Sequence, residues 1–422
     1  MPVTDILKVF YAPHKVFKDI IQNPKYLGAI IVLLLFVAAE TGYYFVYGAK
    51  SYPEQTLPGE DVGDVWTGNA TLWQANSGVI ILNNYADFIN STAPGSGVPP
   101  YFGSSSLDFV ASNSSNIQAR LSNLDGQVNC GTDGFKNISL RIKLATPDVK
   151  PENVTLLLYS MSDFNFFSYD LTSLITSGAV NVWNNITVPV GSGDWVSSST
   201  AASWENITSL KLEFTWSSNS SVDLRVGGLF FRGIYNNAVE SYGIEYLLFN
   251  FALSSSTHYI LQWFLLTALM YVIIKGLKGS VIWKTLMVAV GFALVTQVVQ
   301  AVIFLASYAS LPNLYLPLEA LASVPGELNT VMPTAILDTL TSINLIQSVV
   351  TIIVFVWTIA LGAIVTRAIT STATAPAITG ATTAPVAEGP SPVIQQFGWM
   401  KCILVSGASF LLMLIIIGFL GL

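Results

Sequence analysis

The sequence predicts an α-helical membrane bundle of five transmembrane helices, with an all-β, jelly-roll-like sandwich inserted extracytoplasmically between helices 1 and 2. Only 10% of the 422 residues are charged and 52% are hydrophobic, whereas soluble domains carry about 25% charged residues. Five apolar runs of about 20 residues are long enough to cross a bilayer. Eight N-x-[S/T] sequons all fall between residues 69 and 221, in a block rich in short β patterns.

The five apolar runs are predicted to be membrane spans. They cover residues 27–48, 253–274, 281–305, 343–365 and 400–420. We interpret the first as a retained anchor, because its apolar stretch is longer than a signal-peptide core and 26 residues precede it. Residues 1–26 are predicted to form a cytoplasmic amphipathic segment on the membrane surface.

Basic residues indicate the orientation, because loops rich in Lys and Arg stay in the cytoplasm. They occur before the first run and around the second-to-third and fourth-to-fifth connections, at Lys8, Lys15, Lys18, Lys25, Lys275, Lys278, Lys284, Arg367 and Lys401. Residues 306–342 contain neither Lys nor Arg. We therefore expect a cell (plasma) membrane protein with a cytoplasmic N-terminus, and with residues 50–250 and the C-terminus extracellular.

Two connections between spans have distinct compositions. Residues 306–342 hold four prolines among Leu and Ala. They are predicted to be an extracellular loop of short helices on the membrane surface, with a re-entrant segment as the alternative. Residues 369–395 are rich in Thr, Ala and Pro and carry one charge, Glu388, which is typical of a flexible linker on the cytoplasmic side.

Residues 50–240 are predicted to be a glycosylated extracellular β-sandwich. The sequons are Asn69, Asn90, Asn113, Asn137, Asn153, Asn185, Asn206 and Asn219. Candidate strands cover residues 79–82, 107–111, 138–144, 154–159, 186–190, 210–215 and 222–231. Cys130 and Cys402 lie in distant segments, so a disulfide framework is excluded and a packed core has to hold the domain.

Tryptophan and aspartate side chains of this domain are candidates for ligand contacts. Core packing is the favoured interpretation for each tryptophan, and Trp195 and Trp204, which lie in Ser/Thr-rich stretches, are the candidates for an exposed pair that contacts a glycan or partner. Asp61, Asp64, Asp108 and Asp133 offer oxygens for calcium, although solvated turns are the favoured interpretation. Apart from N-linked glycans, no cofactor or metal is predicted.

The histidines argue against an enzyme. The two in the chain, His14 and His258, fall on opposite sides of the predicted membrane, so a Ser-His-Asp triad or His metal site in the outer domain is excluded. A carboxylate pair for glycoside hydrolysis stays open, but nothing marks one. The net charge of −7 without a basic cluster excludes nucleic-acid binding.

Polar residues inside the predicted spans form one further candidate site. Glu40 lies in the first span, Gln297 and Gln300 share a face of the third, and Gln347 lies in the fourth. An ionisable group at membrane depth is a functional candidate, so a polar pathway or ion site is one interpretation. Interhelical hydrogen bonding that fixes the packing is the favoured alternative.

The N-terminal segment resembles the Yip1 family of membrane proteins. Phe10, Pro13, Phe17, Ile20 and Pro24 match the F-x-x-P…F…I…P pattern that leads into the family's first span. The five spans and inner N-terminus fit as well, whereas the long sequon-rich insert departs from the family. The resemblance implies a non-catalytic role in the membrane. Sequons without disulfides would suit an archaeal surface.

The outer domain resembles the galactose-binding-like jelly rolls of carbohydrate-binding modules. The segment from Trp183 to Pro189 matches their W-x-x-I-x-V-P strand, and Val222–Phe231 resembles their final strand. Gly227 and Gly228 stand where those modules often place an Asp, and the nearest carboxylate is Asp223, which weakens the calcium site that the resemblance implies.

These features predict a non-catalytic scaffold or accessory subunit of an envelope or membrane complex. Its partners would be membrane lipids, other membrane or envelope proteins and, as a further candidate, a glycan bound by the sandwich. One alternative is a transporter or channel component that uses Glu40 and the polar face of the third span. Another is a stand-alone surface glycan receptor.

Overall fold

A computed structural model describes residues 2–89, 101–124, 126–191, 193–322, 324, 334–372 and 397–420. The chain divides into two compact units. The helical unit comprises Met1–Lys50, Ala238–Asn313 and Asp338–Leu422, and the β unit comprises Ser51–Asn237 and Leu314–Leu337. The β unit is therefore discontinuous in sequence.

Among the described residues the helices follow one another in chain order. They are α1 Pro2–Tyr11, α2 Pro13–Gln22, α3 Tyr26–Lys50, α4 Thr172–Ser177, α5 Ala238–Tyr242, α6 Ile244–Gly276, α7 Trp283–Ala293, α8 Val295–Ala309, α9 Leu318–Leu321, α10 Thr334–Thr372 and α11 Trp399–Phe419. The break between α1 and α2 falls at Ala12 because Pro13 has no backbone N–H for the preceding turn. Val16, Phe17, Ile20 and Ile21 form the buried face of α2.

Five helical segments of the described chain are long and apolar enough to cross a membrane. They are Tyr26–Lys50, Ile244–Gly276, Trp283–Ala309, Ile336–Ser371 and Trp399–Phe419. We refer to them as the first to fifth spans. The third comprises α7 and α8, which meet at Leu294. Each of the five apolar runs predicted from the sequence lies largely within one of these segments.

The fourth span is longer than the sequence predicted at both ends. Helix α10 starts at Thr334 and ends at Thr372. Its first turns therefore occupy the end of the loop predicted over residues 306–342, and its last residues occupy the start of the linker predicted over 369–395. Within the added turns, the hydroxyls of Ser342 and Thr370 donate to the carbonyls four residues earlier, so their hydrogen-bonding groups are satisfied inside the helix. The rest of the linker, residues 373–395, lies outside the described residues.

Close approach at Gly291 holds the first three spans together. A Cβ at this position would come within 2.6 Å of Ala29 and 2.8 Å of the Trp263 ring, so only glycine fits. The Trp263 indole donates to the Met287 carbonyl at 2.7 Å, and the Tyr259 hydroxyl donates to the Gly291 carbonyl at 3.2 Å. These contacts fix the faces that α3, α6 and α7 present to one another.

The β unit contains an eleven-stranded sheet among the described residues. Its strands are β1 Ser51–Leu57, β2 Trp73–Ala75, β3 Ile80–Asn84, β4 Ser106–Leu121, β5 Asn137–Thr146, β6 Asn153–Ser160, β7 Phe166–Asp170, β8 Asn184–Pro189, β9 Val196–Ser197, β10 Ile207–Tyr235 and β11 Leu314–Leu316. The sheet is antiparallel except for the pairing of β1 with β11.

The long strands β4 and β10 organise the sheet. They pair antiparallel from Leu210 opposite Leu121 to Val226 opposite Leu107. The first half of β10 also pairs with β6, which leads to β7 and β9, whereas the second half pairs with β5, which leads to β8. Alternate residues of both halves point into a single hydrophobic cluster. One core therefore lies between the two halves of the sheet, as in a sandwich.

The connection between the third and fourth spans contributes to this sheet. Strand β11 lies parallel to β1, with Ser51 opposite Leu314 and Pro53 opposite Leu316. Leu318, Ala322 and Val324 then pack on Phe102 and Phe230. Residues 314–324, predicted to lie on the membrane surface, are thus part of the β unit. Their short apolar runs fit a sheet edge and a small core as well as a membrane face.

A buried arginine joins the separate parts of the β unit. Arg232 of β10 is 7% exposed and lies between Glu54 of β1 and Glu319 of α9, each 3% exposed. Its Nε donates to Glu54 at 2.9 Å, and one Nη donates to Glu319 at 2.8 Å. Glu54 also accepts from the Leu318 backbone at 2.8 Å. Burial opposes ionisation of Glu319, but the hydrogen bonds from Arg232 hold its pKa below the ordinary value.

A second buried carboxylate, Asp64, shapes a turn against β10. It is 3% exposed and accepts from the Thr67 hydroxyl and from the Gly228 backbone N–H at 2.6 Å. Gly228 has a φ of +63°, and a Cβ there would come within 2.7 Å of the Phe102 ring. Glycine is therefore required at position 228. Burial raises the pKa of Asp64 to about 6.

We predict that Arg232→Met strongly destabilises the protein, because it leaves two buried carboxylates without a counter-charge. Removing one partner of a buried charge pair costs about 3–5 kcal/mol. The control is Arg120→Met, which breaks the ion pair between Arg120 and Asp163, whose side chains are 30% and 64% exposed, respectively. The expected loss of unfolding free energy is below about 1 kcal/mol. Denaturant unfolding of the full chain in detergent, followed by tryptophan fluorescence, measures both. Equal losses would contradict the role of Arg232.

We predict that Asp64 makes stability fall as the pH rises from about 4 to about 6. The folded-state pKa of about 6 lies above the unfolded value of 3.8, so its protonated form favours folding and this contribution disappears through that window. The change is about 3 kcal/mol. In Asp64→Asn, unfolding free energies measured between pH 4 and 7 should lose this slope. Asp163→Asn, at an exposed site, should keep it, and an unchanged slope in Asp64→Asn would refute the assignment.

Candidate functional site

The described sequon asparagines lie at the surface of the β unit. Asn113, Asn153, Asn185 and Asn219 are exposed, and Asn69, Asn137 and Asn206 are half-buried. Asn90 lies outside the described residues. Strand alternation explains four of these positions, because the middle residue of each sequon, Ile138, Val154, Ile186 or Ile207, is at most 3% exposed. An inward apolar residue puts the asparagine before it on the opposite side.

The two candidate tryptophans pack inside the β unit. Trp195 is 7% exposed, and its indole donates to the Pro189 carbonyl at 2.7 Å. Trp204 is half-buried and stacks on Phe167 with 3.8 Å between ring centroids. Trp195 therefore packs in the core, as the favoured interpretation has it, and its candidacy as an exposed contact is wrong. The Ser/Thr-rich neighbours that suggested exposure form bends and turns at the edge of the core.

A different group of apolar side chains is exposed beside them. Phe164, Val196 and Met161 are 86%, 69% and 67% exposed. They adjoin Tyr159, which is 7% exposed, and the half-buried Phe166. These two residues are opposite one another in β6 and β7, with 5.7 Å between their ring centroids. We call these five residues the aromatic edge. Sequence reasoning missed it because β7 and β9 are too short for a clear alternation.

Pairing places the aromatic edge on the side of the sheet that faces away from the core. Phe167 and Trp195 point into the hydrophobic cluster, so the adjacent Phe166 and Val196 point outward. Val196 is opposite Ser168 in β9 and β7. No sequon lies between Asn153 and Asn185, or between Asn185 and Asn206. No residue of the aromatic edge belongs to a sequon, although Asn206 directly precedes Ile207, which is opposite Ser160 of β6.

The helical unit contains a polar cavity of about 280 Å³. Glu40, Gln297, Gln300 and Gln347, each predicted from the sequence as an intramembrane polar residue, all line it. His258 and Gln262 of α6 line it too. The sequence had indicated only that His258 lies on the opposite side of the predicted membrane from His14. His258 and Gln262 are four residues apart and so share one helix face. This spacing is the sequence signal that could have identified both as candidate site residues.

Side chains that carry reactive groups elsewhere are engaged in packing or ion pairs. Burial raises the pKa of the Cys130 thiol to about 12, so it is not a nucleophile near neutral pH. Asp108, a calcium candidate, accepts from Asn84 at 2.8 Å and lies 3.6 Å from Arg225. Within the described ranges no three His, Cys, Asp or Glu side chains are grouped to hold a metal ion.

Comparisons with known proteins give structural similarity only. No family model matches the sequence, and no curated protein does. A family 11 carbohydrate-binding module from Clostridium thermocellum, in complex with a β-1,3-1,4-mixed-linked tetrasaccharide, is 12% identical, covers 43% of this chain and 96% of its own, and has a TM-score of 0.28. A family 30 module of a cellulosomal cellulase from the same organism is 6% identical over 42% and 96%, also at 0.28.

A β-1,2-glucanase from Parabacteroides distasonis is also similar, at 13% identity over 40% of this chain and 24% of that one, with a TM-score of 0.27. The large antiparallel sheet of the β unit thus resembles β-sandwiches of carbohydrate-binding modules. Nothing about the ligand of this chain follows from that resemblance.

Proposed function

We propose that this chain is a non-catalytic, multi-pass subunit of a membrane or envelope complex, and that its β unit binds a protein partner through the aromatic edge. The observation that carries the proposal is a group of strongly exposed apolar side chains, Phe164, Val196 and Met161, none of which belongs to a sequon. Exposed apolar patches on soluble surfaces are rare unless they take part in an interaction.

The composition of the aromatic edge favours a protein partner over a glycan. Phe164, Val196 and Met161 have no hydrogen-bonding group to match the hydroxyls of a sugar. Phe and Met are enriched at the centres of protein interfaces, where charged residues are depleted. Beneath the edge, the stacked Phe167 and Trp204 provide a packed base. An apolar surface of a neighbouring membrane or envelope protein is the partner that fits.

Chain connectivity supports an extracellular location for the β unit. Ser51 and Leu314 are paired in one sheet, so both lie on the same side of the membrane. The second and third spans separate them in sequence, and two crossings return the chain to its starting side. Together with the lysines before the first span, this supports a cytoplasmic N-terminus and an outer β unit.

We predict that Phe164→Ser with Val196→Ser removes the partner. The full-length protein is purified in a mild detergent and the membrane proteins recovered in stoichiometric amount are quantified. The wild type should retain a defined partner, and the double variant should recover at least about tenfold less, since loss of an interface anchor costs more than 1.4 kcal/mol.

The matched control is Ile80→Ser with Leu82→Ser. These apolar residues of β3 are 60% and 51% exposed but lie on another part of the sheet. The control should recover the partner as the wild type does. A wild type that purifies without any partner, or equal recovery with Phe164→Ser and Val196→Ser, would overturn the proposal.

A further inference from the structure

The polar cavity of the helical unit has no role in the proposed partner binding. Glu40 of α3, Gln262 of α6, Gln300 of α8 and Gln347 of α10 line it, so four helices each contribute a polar side chain. Gln262 is 7% exposed. A carboxylate and several amides brought to one place in an apolar bundle are costly to bury unless they have partners.

Hydrogen bonds between the lining residues fix which atoms are left for the cavity. The amide nitrogen of Gln262 lies 2.8 Å from Nε2 of His258, and that of Gln300 donates to the Thr351 hydroxyl at 3.0 Å. Nδ1 of His258 lies 3.8 Å from Glu40.

The atoms that remain without partners are mainly acceptors. Oε2 of Glu40, Oε1 of Gln262 and Oε1 of Gln300 are buried and make no hydrogen bond. Nε2 of Gln347 is a buried donor in the same condition. Three free acceptors and one free donor in one cavity describe a ligand that mainly donates hydrogen bonds.

Charge points to a cationic ligand. No Lys or Arg side chain of the described residues lies within 4 Å of the Glu40 carboxylate. Among the described residues, His258 is the ion-pair partner that lies within 4 Å of Glu40. A carboxylate at membrane depth is stabilised by a counter-charge, and a bound cation would supply it.

The remaining walls are aromatic. Phe36, Tyr43, Tyr44, Phe304 and Phe355 line the cavity. Aromatic faces attract organic cations, and a volume of about 280 Å³ is far larger than an unhydrated metal ion needs. The cavity therefore combines one carboxylate, amide oxygens and π faces at the size of a small organic molecule.

We propose that this cavity is a binding site for a small primary ammonium ion, with Glu40 as its counter-charge. A primary ammonium carries three N–H donors, which match the free oxygens of Glu40, Gln262 and Gln300. A hydroxyl or similar acceptor on the same molecule would satisfy Gln347. The site lies in the helical unit and does not depend on partner binding by the β unit.

The test is calorimetric titration of the full-length protein in nanodiscs with ethylammonium chloride. Sodium chloride and choline chloride at the same ionic strength are the comparison salts. We expect saturable binding of ethylammonium to one site per chain, with no comparable binding of Na⁺. Binding of Na⁺ instead of ethylammonium would overturn the proposal in favour of a metal-cation site. If none of the three cations binds, the proposal is overturned as well.

Variants locate the site. Glu40→Gln should bind ethylammonium at least about tenfold more weakly, because it removes a charge-assisted hydrogen bond. The control is Glu245→Gln, which makes the same chemical change in the first turn of α6, away from the cavity, and should bind as the wild type does.

If Glu40→Gln does not fold, binding is measured with Gln300→Met instead. This substitution keeps the side-chain length and removes one hydrogen-bond acceptor. It should also weaken binding. Wild-type affinity in Glu40→Gln, or in Gln300→Met when that variant stands in, would refute the assignment of these residues. A loss of partner recovery through the aromatic edge would not bear on this site, so the two proposals fail independently.

Discussion

The buried ion pairs of Arg232 are the constraint on which the β unit depends. Glu54 follows the first span, Arg232 precedes the second, and Glu319 follows the third. A buried charge is tolerated only when its partners are present. The β unit is therefore complete only when three segments that are distant in sequence come together, and all three meet at a single guanidinium.

Strand alternation accounts for both kinds of surface on the β unit. Where an inward position is apolar, as at Ile138 or Val154, the outward neighbour is a sequon asparagine. Where the inward positions are Phe167 and Trp195, the outward neighbours are Phe166 and Val196 instead. The same period of two thus places both kinds of side chain on the outward side of the sheet. The difference lies in the residue types, which the backbone does not dictate.

Local patterns could predict much of this architecture, and non-local pairing accounts for what they missed. The strands expected over residues 138–144 and 154–159 are present as β5 and β6, because alternation is visible within one segment. Strand β11 has three residues and joins β1 across more than two hundred positions, so no local signal identifies it. The burial of Trp195 likewise depends on its contacts with Tyr169, which is distant in sequence, and with Trp204, which belongs to another turn.

The polar cavity, too, could be predicted from the sequence only in part. Polarity inside an apolar span made Glu40, Gln297, Gln300 and Gln347 visible one at a time, and helical spacing grouped the two in the third span. Interhelical hydrogen bonding, the favoured interpretation, predicts that such residues satisfy one another. The nitrogen of Gln300 does so through Thr351, but its oxygen and that of Glu40 do not. Packing alone explains the bonds that are made, and a ligand explains the atoms that remain without them.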